Sequence, residues 1–92
     1  MNKQDRKQLA AEIEETLDNE LSYELTYDIC HYHDSEEEMS VVQVDFDIDE
    51  LDDCPDDWDE DVEDIMSDIV ADWGGWYCWD GWAICICIPD NN

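Results

Sequence analysis

Between Asp45 and Asp72 the chain reads DFDIDELDDCPDDWDEDVEDIMSDIVAD, and fifteen of these twenty-eight residues are Asp or Glu. No Lys, Arg or His interrupts them. Carboxylates in such number can hold a divalent cation, serve as acid–base pairs, or present a lattice of fixed charge to a basic partner. Each use needs a different spacing. A calcium loop of the EF-hand kind opens on alternating acids, as Asp45, Asp47 and Asp49 do, but needs Gly at its sixth position and Glu at its twelfth. Glu50 and Asp56 stand there instead. Phe46 and Ile48 fit the alternation of a strand better than a calcium loop.

Zinc would draw on the two His and five Cys. His31 and His33 share a strand face, with Cys30 next to them, and Cys85 and Cys87 form a second same-face pair. Structural zinc sites carry closely spaced Cys pairs of the CxxC kind, which the chain lacks. Catalytic constellations are missing too. There is no Gly-rich phosphate loop and no nucleophile elbow. Cys30 and His31 are strand neighbours and point to opposite faces, so they form no dyad. The expectation is a protein that is not an enzyme and needs no cofactor.

The charge-lattice use fits best. On a strand, Asp45, Asp47 and Asp49 would stand about 6.7 Å apart on one face. After a connector holding Asp52 and Asp53 comes a helical stretch with nine acids: Asp56, Asp57, Asp59, Glu60, Asp61, Glu63, Asp64, Asp68 and Asp72. At a rise of about 1.5 Å per residue they span about 26 Å, or about one charge per 3 Å. Duplex DNA carries about one per 1.7 Å, counting both strands. Glu36, Glu37 and Glu38 add to the lattice. Such a run usually means only a solvated helix face. Here Lys and Arg partners at i, i+4, each worth about 0.2–0.5 kcal/mol, are wholly absent.

The totals support that reading. The formal charge of the 92 residues is −26, from 29 acids and 3 bases, and Lys3, Arg6 and Lys7 are those bases. Phosphates would be repelled, so direct contact with nucleic acid or an anionic membrane is disfavoured. A partner must be basic. High charge alone suggests disorder, but 43% hydrophobic residues, with five Trp and four Tyr, argue for a packed core. An odd number of cysteines and no secretory leader pattern point to a reducing cytoplasm.

The positioning elements follow from periodicity. Leu9, Ile13, Leu17 and Leu21 predict a helix over about residues 5–21. Its bases come first and its acids last, against the helix dipole. Tyr23, Leu25, Tyr27 and Ile29 alternate in a strand over 22–34, and DSEEE makes a hairpin loop. Val42, Val44, Phe46 and Ile48 face the core in a strand over 39–49. Pro55 suits the first position of a second helix, whose Trp58, Val62, Ile65, Met66, Ile69 and Trp73 share a stripe before Gly74 and Gly75 end it. Asp80-Gly81, between Trp79 and Trp82, predicts a two-residue hairpin turn. Ile84, Ile86 and Ile88 share one face and Ala83, Cys85 and Cys87 the other, as in a central strand or one covered by a partner. The order α-β-β-α-β-β describes a single α+β domain over 1–92, an antiparallel sheet with two amphipathic helices on one face. Trp76, Tyr77, Trp79 and Trp82 are too crowded to bury completely and suggest an aromatic interface, with a homodimer or another partner.

In charge, size and ordered patterning across Asp45–Asp72, the chain resembles the small acidic DNA-mimic proteins of phages and mobile elements. The class shares no common fold. The resemblance implies an inhibitor that fills the DNA-binding cleft of a basic, nucleic-acid-binding protein. The expected target is a host defence nuclease, a CRISPR effector or restriction enzyme in the host cytoplasm. The partner-binding residues would be Asp45, Asp47, Asp49, Asp52, Asp53, Asp56, Asp57, Asp59, Glu60, Asp61, Glu63, Asp64 and Asp68. Two alternatives stay open: an acidic protein binding calcium or zinc, and an ordinary domain adapted to high salt.

Overall fold

The computed structural model describes residues 2–47, 49 and 54–90. The first helix, α1, spans Lys3–Glu20. Asn2 caps it, its side chain accepting the Asp5 N–H at 2.9 Å, which satisfies one of the free donors of the first turn. That cap starts the helix two residues earlier than its apolar stripe alone predicts.

Strand β1 spans Tyr27–Asp34 and β2 spans Met39–Phe46. They pair antiparallel from Tyr27↔Phe46 to Asp34↔Met39. In the intervening turn Asp34 Oδ1 accepts the N–H groups of Glu36 and Glu37. Glu38 adopts a positive φ of 52°. The alternation of Tyr23 and Leu25 predicts strand, yet the ladder starts only at Tyr27. Its partner strand ends at Phe46, and one further bond, Asp47 N–H to Thr26 C=O at 2.9 Å, closes the pair. Leu21, Tyr23 and Leu25 still pack against the core from outside the sheet.

The second helix, α2, spans Trp58–Trp73. Pro55 is therefore not its first residue. A turn over Cys54–Asp57 precedes it, with the Trp58 N–H bonded to the Pro55 carbonyl at 3.2 Å. Gly74 ends it in the left-handed region (φ 76°), and the N–H groups of Gly74 and Gly75 both reach the Val70 carbonyl. Strands β3 (Trp76–Asp80) and β4 (Ala83–Pro89) form the last hairpin. Asp80 pairs with Ala83, so the two loop residues are Gly81-Trp82, one position later than the Asp80-Gly81 expectation. Gly81 takes φ 62°. A type II′ turn needs glycine at the first loop position, and the one-residue shift puts it there.

The sheet order is β1-β2-β4-β3, all neighbours antiparallel, with β4 central. Both helices lie on one face. Between them and the sheet sit Leu9 and Ile13 of α1, Val62 and Met66 of α2, Val42 and Val44 of β2, and Ile84 and Ile86 of β4, all inaccessible to solvent. Each such side chain stabilises the fold by about 1.5–3 kcal/mol. Ile48, expected to face the core from the same strand, lies outside the described residues. Among the described residues no helix is long and apolar enough to cross a membrane.

Candidate functional site

The helix layer carries the densest charge. On α2, Asp59, Glu60, Asp64, Asp68 and Asp72 are exposed, as are Asp56 and Asp57 before it. Asp61 and Glu63 are half-buried because each holds an aromatic donor. The Tyr23 hydroxyl donates to Asp61 Oδ2 at 2.6 Å, and Trp79 Nε1 donates to Glu63 Oε1 at 2.5 Å. Burial, helped by Asp61, keeps the Tyr23 hydroxyl protonated far above the usual tyrosine range. On α1, Glu12 Oε2 accepts Trp73 Nε1 at 2.6 Å.

These bonds also fix how the helices run. Glu12 meets the end of α2, and Tyr23, just past α1, meets its beginning, so α1 and α2 are antiparallel. Along their seam Glu20 joins Asp61 and Asp64 in lining an open cleft of about 270 Å³. Asp57, Asp61, Asp64, Asp68 and Asp72 follow one another at spacings of three or four residues, which places them on one flank of the helix. Glu14, Glu15 and Asp18 extend the exposed charge over α1.

The acids of the strand are arranged differently from the expected row. Only Asp45 belongs to β2. The strand stops at Phe46, and Asp47 lies beyond it, its Oδ1 accepting the Asp49 N–H at 3.2 Å in a local turn. Asp45 also projects from the sheet face opposite the helices, since Val44 and Phe46 take the helix side. It is therefore not continuous with the α2 acids. Its neighbours run across the sheet. Asp28 pairs with Asp45, Asp45 with Ala83, and Ala83 with Asp80, a transverse row of three exposed carboxylates. Sequence alternation could not find it, because the row depends on pairing register. Asp52 and Asp53 lie outside the described residues.

Among the described residues Lys3, Arg6 and Lys7 form no ion pair, and the one pair present joins His33 Nε2 to Asp90 Oδ2 at 2.7 Å. No group of three His, Cys, Asp or Glu among the described residues is placed to hold a metal ion. Cys30 and His31 do lie on opposite faces. Cys78 pairs with Cys85 across the β3–β4 hairpin, and burial pushes the Cys85 and Cys87 thiols up to about 11.

The expected aromatic interface divides. Tyr77 and Trp79 turn to the helix side and pack against the core. Trp76 lies on the opposite sheet face, 49% exposed, in a cross-strand row with Cys87, Val41 and Tyr32. Trp82 sits in the hairpin turn, 57% exposed. No family model matches the chain, and comparison with curated proteins and solved structures finds no match.

Proposed function

We propose that this protein is a non-enzymatic inhibitor that imitates duplex DNA and occupies the cleft of a basic, nucleic-acid-binding protein, with a host defence nuclease as the target class. One observation carries the reading: the helix layer presents carboxylates along α2 and across its seam with α1, on ordered backbone and with no base among them. Acids held by regular helices need little ordering when a partner binds, so the entropy cost of association is small. The strand acids contribute less than their spacing suggested. Asp45 faces away, and the mimicking surface is assigned to Asp57, Glu60, Asp61, Asp64, Asp68 and Asp72 together with Glu20.

The test is inhibition of DNA cleavage by purified restriction and CRISPR nucleases, measured against salt and competing duplex. Inhibition is expected to weaken by at least about tenfold between 50 and 200 mM salt, since exposed charge pairs are screened over that range. The exposed triple change Asp64→Lys, Asp68→Lys and Asp72→Lys should abolish it while leaving the fold intact. Inhibition indifferent to salt and to this charge reversal would refute the mimicry.

A further inference from the structure

We propose that the cleft between the start of α2 and the β3–β4 turn binds the guanidinium group of an arginine presented by a protein partner. The cleft has a volume of about 200 Å³ and is lined by Trp58, Asp59, Glu63, Trp79, Gly81 and Trp82. Three of the chain's five indoles thus converge on one small space. Trp58 and Trp82 are nearly parallel, 27° between planes, with centroids 6.4 Å apart. Trp79 stands edge-on to Trp58 at 82° and 6.2 Å.

Each wall has an evident cause. Trp58 opens α2 and is almost buried, held edge-to-face by Phe46 at 5.0 Å. Trp79 is fixed through Nε1 by Glu63. Trp82 is more than half exposed, carried over the cleft by the tight turn at Gly81. A Cβ at Gly81 would meet nothing within 4 Å, so that lip is open. Asp59 and Glu63, one helical turn apart, supply charge along the α2 side. Like charges at that spacing weaken a helix, and no basic side chain of this molecule lies between them.

Aromatic faces beside carboxylates select cations. The indole face attracts a cation electrostatically, most strongly when water is excluded. Planar guanidinium can stack on Trp82 while its N–H fork reaches a carboxylate, which ammonium cannot do as well. The chain cannot fill the cleft itself. Its only bases are Lys3, Arg6 and Lys7, carried by α1 beyond the far end of α2. The cation therefore comes from another molecule. The inference deepens the mimicry reading and rests on it for the class of partner only; the preference for guanidinium stands on the cleft.

The probe is N-acetyl-argininamide, with its lysine and citrulline counterparts, titrated into the ¹⁵N-labelled full chain while the indole N–H resonances are followed. The arginine compound is expected to shift the Trp82 and Trp79 indoles saturably, at least tenfold more tightly than the citrulline compound and more tightly than the lysine one. Trp82→Leu, at an exposed position, should weaken binding at least tenfold with the remaining spectrum unchanged. Glu63→Gln, which keeps an acceptor for Trp79, should weaken it as well. Asp68→Asn, away from the cleft, should leave it unaltered. Equal affinity for arginine and citrulline, or no effect of Trp82→Leu, would overturn the assignment. So would indole shifts that grow with protein concentration alone and vanish in Arg6→Gln, because the occupant would then be a second copy. Arginine binding without nuclease inhibition would leave the cleft standing and remove the mimicry; inhibition without arginine binding would do the reverse.

Discussion

Three aromatic donors explain why some carboxylates of this chain are structural and others free. Tyr23, Trp73 and Trp79 each hold one acid, Asp61, Glu12 and Glu63 respectively. A bond to an ionised acceptor is stronger than a neutral one, and it lets a polar aromatic edge be buried without loss. Burial first, and the surrounding negative charge after it, raise the groups that titrate at high pH. Cys85 and Cys87 rise from 9.0 to about 11, and Tyr23, Tyr27 and Tyr32 rise as well, desolvation first among the causes. The folded chain thus keeps protons that the unfolded chain gives up. The stability they contribute is whole below pH 9 and is lost as pH climbs toward 11, because the unfolded state then binds fewer protons. Urea midpoints measured from pH 8 to 11 should fall through that window. A midpoint flat to pH 11 would contradict the burial of Cys85, Cys87 and Tyr23. None of these pairings is legible in the sequence: Glu12 and Trp73 are 61 residues apart, and no local period connects them.

Elements were far more legible than the contacts between them. The apolar stripes of Leu9, Ile13 and Leu17, and of Val62, Ile65, Met66 and Ile69, marked both helices because 3.6-residue periodicity survives heavy charge. Alternation at Val42, Val44 and Phe46 marked β2 for the same reason. Boundaries failed where a local competitor outweighed the pattern. Pro55 suits a helix start, yet a turn from Cys54 to Asp57 comes first. Asp80-Gly81 is a strong turn signal and predicts the last hairpin's loop one residue early, whereas the backbone needs Gly81 at the first loop position. The expected acid row on β2 broke for a third reason: alternation tells which residues share a face but not where the ladder stops. One close approach in the structure had no signal at all. A Cβ placed on Gly75 would lie 2.1 Å from the Cys87 carbonyl oxygen and 2.4 Å from Ile88 Cδ1. The first contact is backbone in a central strand and cannot turn aside. Gly75→Ala should therefore destabilise the protein by about 1–3 kcal/mol, the usual penalty for overfilling a packed site, read from chemical denaturation. A loss below 0.5 kcal/mol would mean that the α2–β3 connection stands off from β4.

At the scale of the whole molecule, extents of 39 × 22 × 19 Å must contain a formal charge of −26. Self-repulsion on this scale opposes the compact state, and added salt relieves it within a screening length of about 8–10 Å. The melting temperature should accordingly rise with sodium chloride. If screening recovers about 1 kcal/mol, a domain of this size gains about 4–8 °C. Calorimetry at 20 and 500 mM salt measures this, and an unchanged melting temperature would mean that the carboxylates do not act as one field. The sequence made the total charge plain but not its distribution. That depended on which strand neighbours which: the order β1-β2-β4-β3 and its register bring Asp28, Asp45 and Asp80 into one row on the side away from α2.

The overhang of α1 has an effect on motion. Trp73 ends α2 opposite Glu12, so the turns bearing Lys3, Arg6 and Lys7 project about 14 Å past that point. The three bases thus sit together at one tip, which they share with Glu36, Glu37 and Glu38 of the β1–β2 turn, whereas the α2 flank carries acids alone, and the molecule is an electric dipole. In the field of a positively charged surface it experiences a torque before any contact is made. That torque swings the tip outward and the carboxylates inward, so that diffusion delivers it already turned.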